Sequence, residues 1–276
     1  MSFRYLSPLL LLFVPWWGAA ARELRVCADP NNLPFSNQAG EGLENKLAQL
    51  LAAGLKAELK YTWWVQRRSF LKNSLAAGLC DVVLGVPSTL DSVLATQPYY
   101  SSTYVFLERI DRHLNISSLN DPRLEQLRIG IHLVGNDYAP PAHLLARRGL
   151  SNRLVGYSLY GEFGVSNPPS RLIGAVVRGD IDVALLWGPF AGYFSKLQSV
   201  PLKITPVSPA SFMSIPFRYE ISVAVRKGDT ELHDELEHVL TQACKTISAL
   251  VAKYGIPQMQ EDMARCDSSH AASLSQ

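Results

Sequence analysis

The chain has 276 residues, of which 47% are hydrophobic and 18% are charged, and its formal net charge is +2. This composition excludes a disordered or low-complexity chain, because there are enough apolar side chains to form a buried core. The nearly balanced charge and the lack of a Lys/Arg-rich run argue against a nucleic-acid partner. We therefore expect one large or two medium globular domains.

The first 21 residues have the pattern of an export signal. Arg4 precedes a short apolar run at 9–17, and 19–21 are all alanine, which fits a cleavage site. We predict that 1–21 is a cleaved signal peptide and that the mature protein is periplasmic. No Cys directly follows the cleavage site and no later segment has 18 continuous apolar residues, so we expect no stable membrane anchor.

Strand and helix patterns alternate after this segment. Apolar runs predict strands at the start of 24–35, at 57–64 and at 80–86, and helical spacing of apolar residues predicts helices at 43–53 and 67–77. A β-α-β-α-β order implies a parallel sheet with right-handed crossovers. Ligands of such sheets bind just beyond the carboxyl ends of the strands.

The same pattern begins again further along the chain, which implies a second lobe. Strands are predicted at 103–107, 127–131, 154–159, 181–186 and in EISVAVRKGD, and helices at 140–148, 169–178 and within 230–254. We predict one lobe from 22–106 plus 218–276 and another from 111–213. Hinges near 107–110 and 214–217 would join the lobes around a cleft.

Four cysteines allow three pairings in an oxidising compartment. We favour Cys27–Cys80, on neighbouring strands, and Cys244–Cys266, in the C-terminal segment; four buried thiols are the alternative. One observation opposes the first pair, because Cys80 should begin about three residues below Cys27 along the sheet, which is far for a bridge. A zinc site is disfavoured because the chain has no CxxC spacing.

Several segments carry a family resemblance. LRVCADPNNLPF, GLENKLAQLLA, QPYYSSTYVFLER and ISVAVRKGDTEL resemble the extracellular solute-binding proteins of the amino-acid-binding class. This resemblance implies an α/β fold of the type II periplasmic-binding-protein kind, with two lobes that are each a mostly parallel sheet flanked by helices. Two hinge strands would join the lobes.

A narrower resemblance adds an expectation about function. CADPNNLPFSN, YTWWVQRRSFLKN, CDVVLGVP and DVALLWGPFAGYF resemble the substrate-binding-like proteins encoded beside quinoprotein alcohol dehydrogenases, the MxaJ/XoxJ type. This resemblance implies a periplasmic accessory of a PQQ-dependent methanol or alcohol dehydrogenase that assists assembly or activation of the enzyme. It does not identify a ligand.

The residues that hold a free amino acid in that class are mostly missing here. The stretch 86–93 has no Arg for an α-carboxylate, Trp187 and Gly188 replace the Asp expected for an α-ammonium, and Asn32 replaces the stacking aromatic. Asp29 alone matches a familiar polar position. Because burying an unpaired charge is costly, we expect that the cleft does not bind a free amino acid.

The remaining residues at the predicted cleft permit two interpretations. Aromatic and Arg side chains around an otherwise unsuited pocket favour a docking surface for the dehydrogenase. The alternative is a solute-binding subunit of an ABC importer, with a permease as partner and a small anionic or aromatic ligand held by rings, Arg67 and a helix start. PQQ is a possible transient ligand, and no firmly bound cofactor is expected. The predicted ligand- or partner-binding residues are Asp29, Asn32, Trp64, Gln66, Arg67, Pro87, Ser88, Asp137, Tyr138 and Trp187.

Enzyme signatures are weak in this sequence. His233 and His238 do not have the i,i+4 spacing of a zinc helix, and no GxSxG motif or phosphate-binding glycine loop occurs. A related cell-wall lyase class uses this fold with a catalytic Glu, but Glu41 and Glu44 lie at an ordinary helix start. We predict a protein without catalytic residues or a metal.

Overall fold

A computed structural model describes residues 21–134, 137–159, 167–257 and Cys266. Apart from its last residue, the predicted signal peptide lies outside the described residues. The longer strands are β1 (Glu23–Ala28), β2 (Glu58–Trp63), β3 (Val82–Pro87), β4 (Tyr100–Arg109), β5 (Ile129–Val134), β6 (Leu154–Ser158), β7 (Val183–Trp187), β8 (Leu202–Pro206) and β9 (Arg218–Val225). The helices are α1 (Leu43–Gly54), α2 (Phe70–Asn73), α3 (Ala142–Arg147), α4 (Ser170–Arg178), α5 (Gly188–Ser195), α6 (Thr230–Gln242) and α7 (Cys244–Lys253).

Shorter elements complete the described chain. Two-residue strands lie at Asn31–Asn32, Ser36–Asn37, Leu94–Ala95, Asp137–Tyr138, Ser211–Phe212 and Ile215–Pro216, and 3-10 turns at Ile110–Arg112, Pro122–Gln126 and Ser151–Arg153. In the part of the chain that the structure describes, no helix is both long and apolar enough to span a bilayer.

The longer strands form one mixed sheet with helices on its faces, in the order β6-β5-β7-β4-β9-β3-β1-β2, with β8 beside β4. The pairs β1–β2, β1–β3, β5–β6 and β5–β7 are parallel, whereas β4 and β9 run antiparallel to their neighbours. The predicted α/β fold with two mostly parallel halves is confirmed. Parallel strands require crossovers, which α1, α3 and α4 help to supply.

Strand β4 connects the two halves of the sheet. Its first four residues pair with β9, and from Tyr104 onward it pairs with β7. The change of partner between Thr103 and Tyr104 lies earlier in the chain than the hinge predicted near 107–110. Strand β4 continues without interruption from Tyr104 to Arg109. The return connection reaches β9 at Arg218, directly after the predicted hinge at 214–217. The exact lobe boundaries stay a prediction.

Helix α1 illustrates how the first half is held together. Leu43, Leu47 and Leu51 recur at helical spacing, are completely buried and pack in the core with residues of β1, β3 and β9. The helix begins at Leu43 because the Asn45 Oδ1 atom accepts hydrogen bonds from the backbone N–H groups of Gly42 and Asn37, each at 3.0 Å. This cap fixes the first turn of α1, where Glu44 lies.

The predicted helix at 67–77 is wrong in extent. The structure has only the four-residue helix α2, preceded by Ser69 in the left-handed region with a φ of 70°. A left-handed residue interrupts the helical path, so Gln66 and Arg67 lie in a turn before the helix. No helix therefore begins at Gln66 or Arg67, and the predicted attraction of an anion by a helix N-terminus at these residues is wrong.

Both predicted disulfides are confirmed. Cys27 and Cys80 have a Cα–Cα distance of 5.5 Å, and so do Cys244 and Cys266. The predicted register is present, since Cys27 pairs with Val83, three residues after Cys80. The bridge forms nevertheless because Cys80 lies before β3, and the turn there brings its Cα close to β1.

The second half also contacts the C-terminal segment of the first. A Cβ atom at Gly192 of α5 would lie 1.9 Å from the Gly255 carbonyl oxygen, so the two backbones touch. Tyr193 stacks on Tyr254 at 5.9 Å between ring centroids. Helix α5 is thus packed against the end of α7 as well as against its own half of the sheet.

Candidate functional site

A cavity of about 470 Å³ lies between the two halves of the molecule. Its walls come from the turns after β1 and β2, from the end of β3, from the first turn of α1, from the tip of β7 and from the two strands that cross between the halves. The lining residues are Asn32, Phe35, Glu44, Gln66, Arg67, Arg68, Gly85, Pro87, Tyr100, Tyr104, Val134, Leu159, Trp187, Phe190, Tyr219 and Ile221. This volume suits a small organic molecule.

Aromatic rings form much of the wall. Trp187 ends β7 directly opposite Tyr104 of β4, with ring centroids 5.4 Å apart, and its ring meets that of Tyr219 at 5.7 Å with a T-shaped geometry. Phe35 from the first half meets Phe190 of α5 at 5.3 Å, also edge to face. Such contacts hold the rings in fixed positions. Burial raises the pKa of the Tyr104 and Tyr219 hydroxyls, so both remain neutral at physiological pH.

Glu44 is the acidic group of this cavity. It is the second residue of α1, and its carboxylate lies over Gly85, where a Cβ atom would be 2.1 Å from Oε1. Gly85 has a φ of +75°, so the close approach and the backbone conformation both require glycine there. Burial, and then the nearby charge of Asp29, raise the pKa of Glu44 to about 8. The Glu44 carboxyl group makes no hydrogen bond or ion pair with any described residue.

Asp29 lies behind the cavity rather than in its wall. It is buried, and its carboxylate accepts hydrogen bonds from the backbone N–H groups of Asn31 at 2.8 Å and Gln66 at 2.6 Å. The Asn32 side-chain amide in turn donates to Gln66 Oε1 at 2.8 Å. Asp29 therefore positions the two turns that carry Asn32, Gln66 and Arg67.

Exposed apolar side chains lie at or beside lining residues on both sides of the cavity: Val134 lines it, Trp64 and Val65 precede Gln66, and Tyr138 follows Asp137. Trp64 and Val65 are 40% and 41% exposed on the first half, and Val134 and Tyr138 are 42% and 46% exposed on the second. We call these four residues the rim. An ion pair of 3.1 Å between Arg68 and Asp137 links the two sides, and both side chains are largely solvent-exposed. Such an exposed pair contributes about 1 kcal/mol at most.

The predicted site residues thus fall into three groups. Asn32, Gln66, Arg67, Pro87 and Trp187 line the cavity. Trp64, Asp137 and Tyr138 lie at its mouth. Asp29 and Ser88 are not among its lining residues, and the Ser88 backbone N–H donates to the Glu220 carbonyl.

Eleven of the lining residues were not predicted as site residues, among them Phe35, Glu44, Tyr104 and Tyr219. The two tyrosines come together only through the register of the crossing strands, which the sequence does not show. The sequence suggests Glu44 only as a candidate lyase residue. An acidic residue in the first turn of a helix is common, so its position in the sequence does not indicate a cavity.

A larger cavity of about 790 Å³ lies within the first half, on the other side of Gly85 and Pro87. Phe70, Leu75 and Val83 line it, and its described lining contains no acidic side chain. It does not include residues of the second half. The cavity between the halves, which combines rings, an acid and polar turn residues, is therefore the candidate site.

Residues 24–257 match the family model for the bacterial extracellular solute-binding proteins, family 3. The chain belongs to this family. Within it, the chain is of the MxaJ/XoxJ type: it is 31% identical over 250 residues to the protein MoxJ of Methylorubrum extorquens, which covers 86% of this chain and 82% of that relative. It is 29% identical over 255 residues to MoxJ of Paracoccus denitrificans, with 87% and 90% covered.

Solved structures agree with this placement. The structure of MxaJ from Methlophaga aminisulfidivorans has a TM-score of 0.75 and 29% identity, and covers 86% of this chain and 100% of that one. The periplasmic binding protein XoxJ from Methylobacterium extorquens AM1 has a TM-score of 0.70 and 32% identity, with 86% and 99% covered. An ancestral cationic amino acid solute-binding protein, with a TM-score of 0.65 and 23% identity, shares the fold.

Proposed function

We propose that this protein is a periplasmic accessory of a PQQ-dependent methanol or alcohol dehydrogenase, and that it assists assembly or activation of the enzyme by docking to it. Similarity to MoxJ, MxaJ and XoxJ over most of the chain supports the partner class. In this role the protein binds without catalysing a reaction, in the compartment that its family and its two disulfides favour.

The observation that carries the docking proposal is the rim. Four apolar or aromatic side chains, each at least 40% exposed, lie on the two sides of one cleft. Contiguous exposed apolar groups mark interaction surfaces, and aromatic residues beside Arg are enriched at the centres of protein interfaces. Arg67 and Arg68 lie next to Trp64 and Val65 in sequence and supply the charged part of such a surface.

The alternative function is a binding subunit for an ABC importer. The volume of the cavity supports this function, and the Glu44 carboxyl bears on whether its ligand can be an anion. Glu44 lies in the wall without a counter-charge. Below its raised pKa of about 8 the carboxyl is protonated and can donate a hydrogen bond to a carboxylate, whereas above that pH the ionised group repels one. PQQ carries three carboxylates, and Arg67 and Arg68 are the cationic side chains among the described lining residues that could attract them. A transient PQQ site stays a prediction.

A binding assay with purified partners tests the docking proposal. The PQQ-dependent dehydrogenase of the same organism is immobilised, and capture of the wild type is compared with that of the double variant Trp64→Ala/Tyr138→Ala. Loss of two aromatic anchors at an interface should weaken capture at least about tenfold, since each contributes on the order of 1 kcal/mol or more. Leu197→Ala is the matched control, because Leu197 is 65% exposed but does not belong to the rim.

Deletion of the gene provides a second test. The proposal requires that dehydrogenase activity falls in the deletion strain and returns with the wild-type gene but not with the double variant. Unchanged dehydrogenase activity after deletion, together with loss of uptake of a defined nutrient, would instead establish the importer function.

A further inference from the structure

The cavity between the halves contains a carboxyl group with no counter-charge. The Glu44 carboxyl group makes no hydrogen bond or ion pair with a described residue, although Arg67 and Arg68 line the same cavity. Arg68 instead pairs with Asp137 at the mouth. Glu44 is half-buried in the cavity wall, and a carboxyl that is largely removed from water without a partner is costly, so its position indicates a missing partner.

Aromatic rings surround the space that this partner would occupy. Tyr100, Tyr104, Trp187 and Tyr219 line the same cavity as Glu44, and Phe35 and Phe190 complete the wall. The faces of aromatic rings carry negative charge density, and they attract cations, tryptophan most strongly. A carboxylate and several ring faces in one enclosure therefore favour a positively charged group.

We propose that the cavity between the halves binds a small organic cation, such as a quaternary or protonated amine, with its charge facing the Glu44 carboxylate and its alkyl groups packed on the Trp187, Tyr104 and Tyr219 rings. The positive charge would neutralise the one uncompensated acid among the described residues of the wall. This inference concerns the protein alone and does not depend on the dehydrogenase as partner.

The proposed site predicts a proton linkage. Besides Arg67 and Arg68, the titratable groups around Glu44 are Asp29 behind it, Tyr61 on β2 and Tyr99 before β4. Tyr100, Tyr104 and Tyr219 of the same cavity wall complete the set. Since burial raises the pKa of Glu44 to about 8, its carboxyl group is mostly protonated at pH 7 before a ligand binds. A bound cation favours the carboxylate, so binding releases a proton. Affinity should rise by about tenfold per pH unit up to about pH 8 and then level off.

Calorimetric titration of the purified full-length mature protein with choline tests the proposal. The control ligand is 3,3-dimethylbutan-1-ol, which has the same shape without the charge. We expect choline to bind at least about tenfold more tightly than the neutral alcohol, and this preference to vanish in Glu44→Gln. Glu41→Gln is the matched control variant, since Glu41 is exposed three residues away and does not line the cavity, and it should keep the preference.

The outcomes separate clearly. A charge preference that Glu44→Gln abolishes, with an affinity for choline that rises from pH 6 to pH 8 in the wild type, supports the site. Equal binding of both ligands, no binding of choline at millimolar concentration, or an unchanged preference in Glu44→Gln would overturn it. The wild-type pH dependence needs no variant, so a folding defect in Glu44→Gln would leave the test decisive. Loss of dehydrogenase capture by the rim variant would not affect any of these results.

Discussion

Replacing Glu44 by Gln should stabilise the protein in a manner that depends on pH. The wild-type carboxyl has its pKa raised from 4.5 to about 8 by burial and by Asp29. One pKa unit corresponds to about 1.36 kcal/mol, so ionising this group in the folded protein costs on the order of 4 to 5 kcal/mol relative to the unfolded chain. Because Glu44 borders the open cavity, water reduces this cost, and we expect about 2 to 3 kcal/mol.

The direction follows from the number of bound protons. Between about pH 4.5 and pH 8 the folded state keeps the Glu44 proton while the unfolded state has lost it, so wild-type stability falls as pH rises through this window. Below about pH 4.5 both states are protonated and the effect is absent. Glutamine does not titrate, so the variant should gain on the wild type only as pH increases.

Urea denaturation at several pH values, with the disulfides kept oxidised, measures this difference. The free energies of unfolding of Glu44→Gln and the wild type should be similar near pH 4.5 and differ by about 2 to 3 kcal/mol near pH 8.5. Glu41→Gln controls for the loss of a surface charge. If the two curves stay parallel at all pH values, or if Glu44→Gln is the less stable protein near pH 8.5, the carboxyl is not held in the environment described above.

Three further predictions concern stability. Burial lowers the pKa of His132 from 6.5 to about 4, so the free energy of unfolding should fall by on the order of 3 kcal/mol as pH decreases from 6.5 to 4. His132→Leu should remove this dependence. The burial would be contradicted if the variant lost stability with decreasing pH as steeply as the wild type. Cys27→Ser/Cys80→Ser opens a loop with a sequence separation of 53 and should cost about 4 kcal/mol in urea denaturation, whereas a cost below about 1 kcal/mol would count against the bridge. Gly192→Ala places a methyl group against the Gly255 carbonyl and should lower the melting temperature by several degrees. The control for a helical glycine is Gly174→Ala in α4, where the nearest atoms belong to the flexible end of Arg178.

Much of the fold was predictable from local sequence. Alternating apolar runs and helical periods identified the parallel strands of both halves, because buried strands and amphipathic helices have different spacing. Helix α1 was predicted almost to its boundaries, since its apolar face repeats regularly and glycine follows. Helix α2 was overpredicted because its sequence looks helical, whereas the left-handed conformation of Ser69 is set by the surrounding turn.

The candidate site was predictable only in part. Asn32, Pro87 and Trp187 follow or end strands, and the rule that ligands bind beyond strand ends located them. Tyr104 and Tyr219 lie within strands, so their inclusion depends on which strands cross between the halves. Asp29 was placed correctly near the site, but the sequence could not show that backbone N–H groups already occupy both of its oxygens.

Strand β4 gives the molecule a single backbone hydrogen-bond network that extends through both halves. Thr103 belongs to one pairing partner and Tyr104 to the next, with no flexible residue between them. Thermal unfolding of one half therefore disrupts β4, with which a strand of the other half is paired. The two halves should unfold as one cooperative unit. We expect a rearrangement of the halves around a ligand to change the twist of the continuous strand β4.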